Sequence, residues 1–358
     1  MNDAAGLDIH WRYQMKVSTL TRVVLGFGLL LGCAIGSASA VLTVAGAAQG
    51  FTLSTFLDRV PASGFCCGPL GVVNTPGNNI LVSSYPGEVR SFSDVDGHHW
   101  GDSTTVAGAN YGGNNGVGLA ALNGKYYLTE QLLGRVVEVS ATGAYIQDIV
   151  NIPNATGIVG NPANGLLYVS AGGGIYTVDP VAKTATIFNL ANADGLTLSA
   201  DGSILYAEAG QHIFGYRTSD AFQVFDSGVI SGGPDGAAFG SGALAGNLFV
   251  NTNGGDLIEI DIVTLLKTTL VTGGSRGDFV NVDLNNGTLL FTQTDMVLRL
   301  TAPAGGCFGN ACNTVPEPGT LALTGAAISV LFWSRRRRDR RHAQAVSMIA
   351  LKGGAHRR

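Results

Sequence analysis

Short apolar segments recur along the middle of the chain at a regular spacing, most of them opened by glycine. The recurring unit is a Gly-led apolar strand, a polar Gly/Asn turn, a strongly apolar strand and then an alternating strand. Units start at Gly71-Val72-Val73, Gly118-Leu119-Ala120, Gly157-Ile158-Val159, Gly195-Leu196-Thr197, Gly236-Ala237-Ala238 and Asp278-Phe279-Val280, at offsets of 47, 39, 38, 41 and 42 residues. The second strands are Ile80-Leu81-Val82, Tyr126-Tyr127-Leu128, Leu166-Leu167-Tyr168-Val169, Ile204-Leu205-Tyr206, Leu248-Phe249-Val250 and Leu289-Leu290-Phe291. A period near 40 residues with three or four strands per unit marks propeller blades. One such unit cannot bury both faces of its sheet, but a closed ring can. The pattern therefore predicts an all-β fold, a six-bladed β-propeller over residues 41–303. A solenoid needs a shorter, stricter period, and a sandwich has no need of repeated Gly-apolar starts. The last unit ends at Leu300 without an outer strand. The segment Phe51-Thr52-Leu53-Ser54-Thr55-Phe56 is expected to supply it, which closes the ring and covers a sheet edge.

Composition agrees. Glycine numbers 52 of 358 residues, about twice the usual share, as many tight turns require. The net charge of -4 hides an asymmetry: residues 41–314 hold 9 Lys+Arg against 21 Asp+Glu, and the other 12 basic residues sit at the two ends. So acidic a body repels phosphate backbones, which argues against nucleic-acid binding. Basic ends beside apolar runs read instead as membrane topology.

At the N-terminus Lys16 and Arg22 precede an apolar run from Val23 to Leu31, and Ala38-Ser39-Ala40 follows. This order is a secretory signal peptide over residues 1–40, with the cut by signal peptidase expected after Ala40. Met15 makes a more compact start, leaving residues 1–14 as a mis-assigned extension. Leu30-Leu31-Gly32-Cys33 has the outline of a lipidation site, but Leu31 fits poorly before the glycine, so Cys33 reads as an ordinary residue of the run.

At the other end Val315-Pro316-Glu317-Pro318 opens an apolar segment to Trp333, closed by Arg335-Arg336-Arg337-Arg338. The 16 residues from Pro318 to Trp333 make a helix of about 24 Å, short of the roughly 30 Å hydrocarbon core. Arginine snorkelling and local thinning can cover that gap, and the four arginines then stop transfer with the body outside. A short C-terminal transmembrane helix is expected, within a unit spanning residues 315–338. This order of motif, short span and basic cluster resembles the PEP-CTERM sorting signal. The resemblance implies a Gram-negative exporter in which a membrane exosortase recognises Pro316-Glu317-Pro318 and cleaves nearby. The protein would be held transiently at the inner membrane, then reach the cell surface or the extracellular biofilm matrix. The basic tail over residues 339–358 is a departure from that pattern.

Four cysteines besides Cys33 fall at Cys66, Cys67, Cys307 and Cys312, the last two in an expected linker over residues 304–314. In an oxidising compartment an even number suggests disulfides. A vicinal Cys66–Cys67 ring, a small Cys307–Cys312 loop and pairing across the ring seam are all open. Cross-pairing would close a loop of some 240 residues, worth about 4–5 kcal/mol in the chain-entropy picture.

Candidate chemistry gathers at the unit starts. Ala193-Asp194-Gly195 and Pro234-Asp235-Gly236 put an acid before two innermost strands, and Asp278 stands at the sixth start. These repeats resemble the Pro-Asp-Gly type of gluconolactonase-type and NHL-repeat six-bladed propellers. In the gluconolactonase type, residues just before the innermost strands hold a divalent cation at one channel mouth. The resemblance places Asp235 on the family's Asp and Asp194 on its second Asn. The first Asn falls on Ala155, beside Asn154, and the Glu of the family's E-G-P motif is replaced at Cys67-Gly68-Pro69. Asp194, Asp235 and Asp278 are then the metal candidates, with Ca²⁺ the cation that suits hard oxygen donors. An Asp-Gly pair also serves as a plain turn before a strand.

Two further fragments read as structural. Asp94-Val95-Asp96-Gly97 lacks the rest of a calcium loop, and His98-His99-Trp100 fits an inter-blade loop. Gly273-Gly274-Ser275-Arg276-Gly277 matches a nucleophile-elbow pattern, but no helical periodicity follows it, as that motif demands. The expected function is an exported surface or matrix propeller that binds or scaffolds, with extracellular polysaccharide or surface proteins as partners. The competing expectation is a divalent-metal-dependent lactonase- or esterase-like hydrolase.

Overall fold

The computed structural model describes residues 39–63, 67–85, 87–103, 106–107 and 116–309. The signal segment up to Ala38, the sorting motif Val315–Pro318, Arg335–Arg338 and the cysteines Cys33, Cys66 and Cys312 lie outside the described residues.

Six small antiparallel sheets surround a central channel, so the described chain is an all-β, six-bladed propeller. The innermost strands are Pro69–Thr75, Gly116–Leu122, Ile158–Asn161, Leu196–Leu198, Pro234–Gly242 and Val280–Asp283. They define blades 1 to 6 in chain order. Each is followed outward by the strongly apolar second strand and then by the third. Blade 3, for example, continues through Leu166–Ala171 and Gly174–Asp179 to its outer strand Thr184–Asn189.

The second strands are apolar throughout because both their faces are covered. Alternate side chains enter different inter-blade cores: Tyr126 and Leu128 pack toward blade 1, and Tyr127 packs toward blade 3. Six such clusters occupy the six blade junctions, including one between blades 5 and 6 built on Phe249, Leu289 and Phe291. The core is therefore a ring of wedges, and each junction depends on side chains from two repeats.

Glycine at a unit start lets neighbouring innermost strands touch through their backbones. A Cβ on Gly71 would fall 2.5 Å from Leu119 N and 2.7 Å from Val117 O. A second recurring contact stitches the ring. Opposite Gly71, Ser83 Oγ accepts from Gly71 N at 2.8 Å and donates to Val117 O of the next blade at 2.9 Å. Thr129 does the same between Gly118 and Thr156 O, and Ser170 between Gly157 and Asp194 O. In blade 5 Asn251 Nδ2 donates to Asp278 O.

Blade 6 is completed from the other end of the chain. The strand Thr52–Asp58 pairs antiparallel with Val297–Thr301, with Thr52 opposite Thr301 and Leu53 opposite Leu300. This is the outer strand expected from the 51–56 segment. Just before it, Val41–Leu42 pairs with Thr272 and Val271 on blade 5, so the chain is attached to the propeller directly after the expected cleavage point. At the far end Gly306–Phe308 pairs with Gly240–Gly242, and Phe308 stacks edge-on against Phe249 at 4.8 Å. Residues 304–309 are thus bound to blade 5.

The seam between blades 6 and 1 is tied by charge. Arg299 reaches Asp94 at 2.5 Å, Asp283 at 2.5 Å and Asp96 at 2.7 Å, and Asp94 also accepts from Asn285 and Asn286. Asp94 and Asp96, noted as a fragment of a calcium loop, are thus partners of a buried guanidinium. His98–His99 forms a short parallel pair with Leu57–Asp58, and Trp100 is buried beneath Arg90.

Candidate functional site

The residues at the start of the innermost strands, or two ahead of them, converge at one mouth of the channel. Asp194, Asp235 and Asp278 hold equivalent places in blades 4, 5 and 6, each one residue ahead of the position that faces the next blade. Blades 1, 2 and 3 have Leu70, Val117 and Thr156 there. The acidic half of the mouth is therefore built by half of the repeats. Asp235 lies inside its strand with 1% of its surface exposed, so it does not serve as a plain turn residue.

A cavity of about 380 Å³ opens at this mouth, lined among others by Gln131, Asn154, Asn192, Asp194, Glu208 and Asp235. The structure thus brings together Asn154, Asp194 and Asp235. Ala155 and Cys67 are buried, and Asp278, with 3% exposure, does not line the cavity.

One cation meets these acids. Arg276 Nη2 lies 3.2 Å from Asp235 and 3.1 Å from Asp278, and Nη1 lies 3.8 Å from Cys67 Sγ. The Gly273–Gly277 segment, whose pattern resembled a nucleophile elbow, is a loop that delivers this guanidinium to the mouth. Burial pushes the Asp235 carboxyl well above the usual range, with the charges of Asp194 and Asp278 acting in the same direction and Arg276 opposing them. Burial raises Asp278 to about 6, against the pull of Arg276. Among the described residues, no group of three or more His, Cys, Asp or Glu side chains is arranged to hold a metal ion.

Glu208 was not singled out by sequence. It is 1% exposed, and neither carboxyl oxygen has a hydrogen-bond partner. Burial raises it to about 8, its own backbone opposing the shift and the charge of Asp194 adding to it. A signal for it does exist in the sequence: aligned repeats put Ser83, Thr129, Ser170, Asn251 and Thr292 at the place where blade 4 has a carboxyl.

Cys67 and Cys307 are both disulfide-bonded. Cys67 stands at this mouth beside Arg276, whereas Cys307 pairs with Ser241 near the other end of blade 5's innermost strand. Six residues separate Asp235 from Ser241, about 20 Å of strand. That separation is too large for Cys67 and Cys307 to bond each other, because a disulfide holds its Cα atoms within roughly 7 Å. The remaining pairings of the candidate set involve Cys66 or Cys312, outside the described residues.

No protein-family model matches the chain, and no curated protein matches it in sequence. Solved structures do resemble it in fold. A gluconolactonase from Xanthomonas campestris superimposes with a TM-score of 0.57 at 15% identity, covering 74% of this chain and 95% of that one. A putative oxidoreductase (glucose dehydrogenase) from Thermus thermophilus gives 0.53 at 15% identity, with 70% and 100% covered. A chain of a nidogen/laminin complex gives 0.50 at 16%, with 62% and 93% covered. At these identities the likeness establishes the propeller and nothing about activity.

Proposed function

We propose that the protein is an exported propeller that binds extracellular polysaccharide at the cell surface or in the biofilm matrix. In this reading Arg335–Arg338 hold it transiently at the inner membrane and an exosortase processes it at Val315–Pro318. The observation that supports a binding role is the composition of the mouth cavity, where the amides of Gln131, Asn154 and Asn192 stand beside the carboxylate of Asp194. Planar amides and carboxylates donate and accept in fixed directions, as the hydroxyls of a sugar ring require. The test is co-sedimentation of the purified protein with its host's extracellular polysaccharide, alongside Asn154→Ala/Asn192→Ala. The wild type should pellet and the double variant should stay in solution; a wild type that stays in solution rejects the reading. Mass spectrometry of the exported protein tests sorting, with new termini expected after Ala40 and near Thr314.

A divalent-metal-dependent hydrolase is the second reading, favoured by the meeting of Asn154, Asp194 and Asp235 in one cavity. Titration with Ca²⁺ and Zn²⁺ and a panel of lactones and esters separates the two. Tight metal binding with turnover abolished in Asp235→Ala would replace the binding role.

A further inference from the structure

Four of the six blades use the residue opposite the unit start to tie themselves to the next blade. Ser83, Thr129, Ser170 and Asn251 each donate to a backbone carbonyl at, or two residues before, the start of the neighbouring innermost strand. Blade 4 has Glu208 there, opposite Gly195, and the carbonyl it faces is that of Asp235. A Cβ built on Gly195 would meet Asp235 O and also lie 2.9 Å from Glu208 Oε2, so the carboxyl reaches the right gap. It makes no bond there. Blade 6 turns its Thr292 hydroxyl to Phe279 O of its own blade, whereas blade 4 puts a buried, unpartnered carboxyl into the wall of the mouth cavity. An unsatisfied buried carboxyl costs stability, and such a group in a cleft points to a ligand.

The chemistry of the cavity narrows that ligand. Arg276 pairs directly with Asp235 and Asp278 and acts on Asp194 only through its charge at longer range. Asp194 and Glu208 have no ion-pair partner among the described residues, and both line the cavity. The amides of Gln131, Asn154 and Asn192 stand around them. We propose that the mouth binds an amino sugar, with Glu208 and Asp194 receiving its ammonium group and the amides its hydroxyls. This rests on the saccharide-binding reading and names its substrate class.

The test is calorimetric titration of the full exported chain with a glucosamine disaccharide and, separately, its N-acetylated counterpart. It is repeated on Glu208→Thr, which restores the residue blade 2 uses, and on Glu208→Gln, which keeps the size. Wild type should prefer the free amine by about tenfold or more, because the neutral amine takes the proton that buried Glu208 holds at neutral pH, and the resulting charged hydrogen-bonded pair is worth about 1.5–3 kcal/mol. Both variants should lose that preference. Glu208→Thr should also melt higher, by about 2–4 °C for each kcal/mol the restored tie contributes. Equal binding of both sugars overturns the amino-sugar assignment and leaves the saccharide reading standing; binding of neither overturns both. Unchanged amine binding in the variants removes Glu208 from the site, and a lower melting point of Glu208→Thr with binding intact rejects the argument from the repeat. Tight Ca²⁺ binding that is lost in Glu208→Gln overturns the ammonium in favour of a metal.

Discussion

Arg276 Nη2 stands 3.1 Å from the carboxylate of Asp278, a residue with only 3% of its surface exposed. The same nitrogen lies 3.2 Å from Asp235. Removing that cation leaves two buried acids facing each other and Asp194. Arg276→Met should therefore cost about 2–3 kcal/mol at pH 7.5. That is somewhat less than a fully buried pair, because the guanidinium itself is 34% exposed. The loss should shrink at pH 5, where the two acids carry protons in the folded variant. Urea titration at the two pH values checks this, and an equal loss at both would reject the electrostatic account.

The unit-start glycines make a second prediction. Gly71→Ala puts a methyl 2.5 Å from Leu119 N, a backbone atom of the neighbouring blade that cannot turn away. The variant should lose about 2 kcal/mol or more. Gly101→Ala, where nothing lies within 4 Å of the new methyl, should change stability by no more than about 0.5 kcal/mol. Thermal melts of the pair check the contrast.

These same glycines explain why the fold was legible in the sequence. Each marks a backbone contact between blades, and each second strand is apolar because both its faces are buried, so the repeat period and the blade count stand in the hydrophobic pattern. The outer strand of blade 6 was readable from a deficit, since the last repeat stopped at Leu300 and the 51–56 segment had no unit of its own. The mouth was only partly legible. Asp194 and Asp235 showed through their place before a strand, but Arg276 was hidden in a Gly-rich loop whose pattern resembled other chemistry. Arg299 meets Asp94 from 205 residues away, a contact that no local spacing encodes. Glu208 becomes visible only when the repeats are aligned and a carboxyl stands among four hydroxyls and an amide.

The mouth also sets a pH dependence. Glu208 is raised to about 8, Asp278 to about 6, and Asp235 is raised as well, all chiefly by burial. Groups raised in the folded state bind protons more tightly there than in the unfolded chain. Their stabilisation is present in full below the ordinary carboxylate range and is lost as pH rises through the folded values. The charge that acts on Glu208 is that of Asp194, and Asp235 lines the same cavity. Stability should accordingly fall between about pH 5 and pH 8, by about 1 kcal/mol per pH unit for each group titrating. Glu208→Gln should flatten the slope above pH 6. Denaturant midpoints at half-unit steps of pH check it; a slope that is unchanged in the variant would assign the dependence to other groups.

Ring closure yields the last prediction. Arg299, 6% exposed, joins three acids: Asp94 and Asp96 from blade 1 and Asp283 from its own blade. The strand carrying Arg299 is also the one that receives Thr52–Asp58, so the guanidinium and the closing strand act on the same seam. Burial and the nearby Asp283 raise Asp94, and Arg299 pulls it the other way, so the guanidinium is what favours the ionised acid at this seam. Arg299→Met should cost about 3–5 kcal/mol, because it leaves buried charges without a partner. Arg299→Lys should recover little of this, since one ammonium cannot span three carboxylates in the fork geometry of a guanidinium. Added salt should have small effect, as buried pairs are weakly screened. Hydrogen exchange should localise the damage, with amides of Thr52–Asp58 losing protection before those of blades 2 and 3. Uniform loss across all six blades would mean instead that the ring opens as one cooperative unit and that this seam is no weaker than the other five junctions.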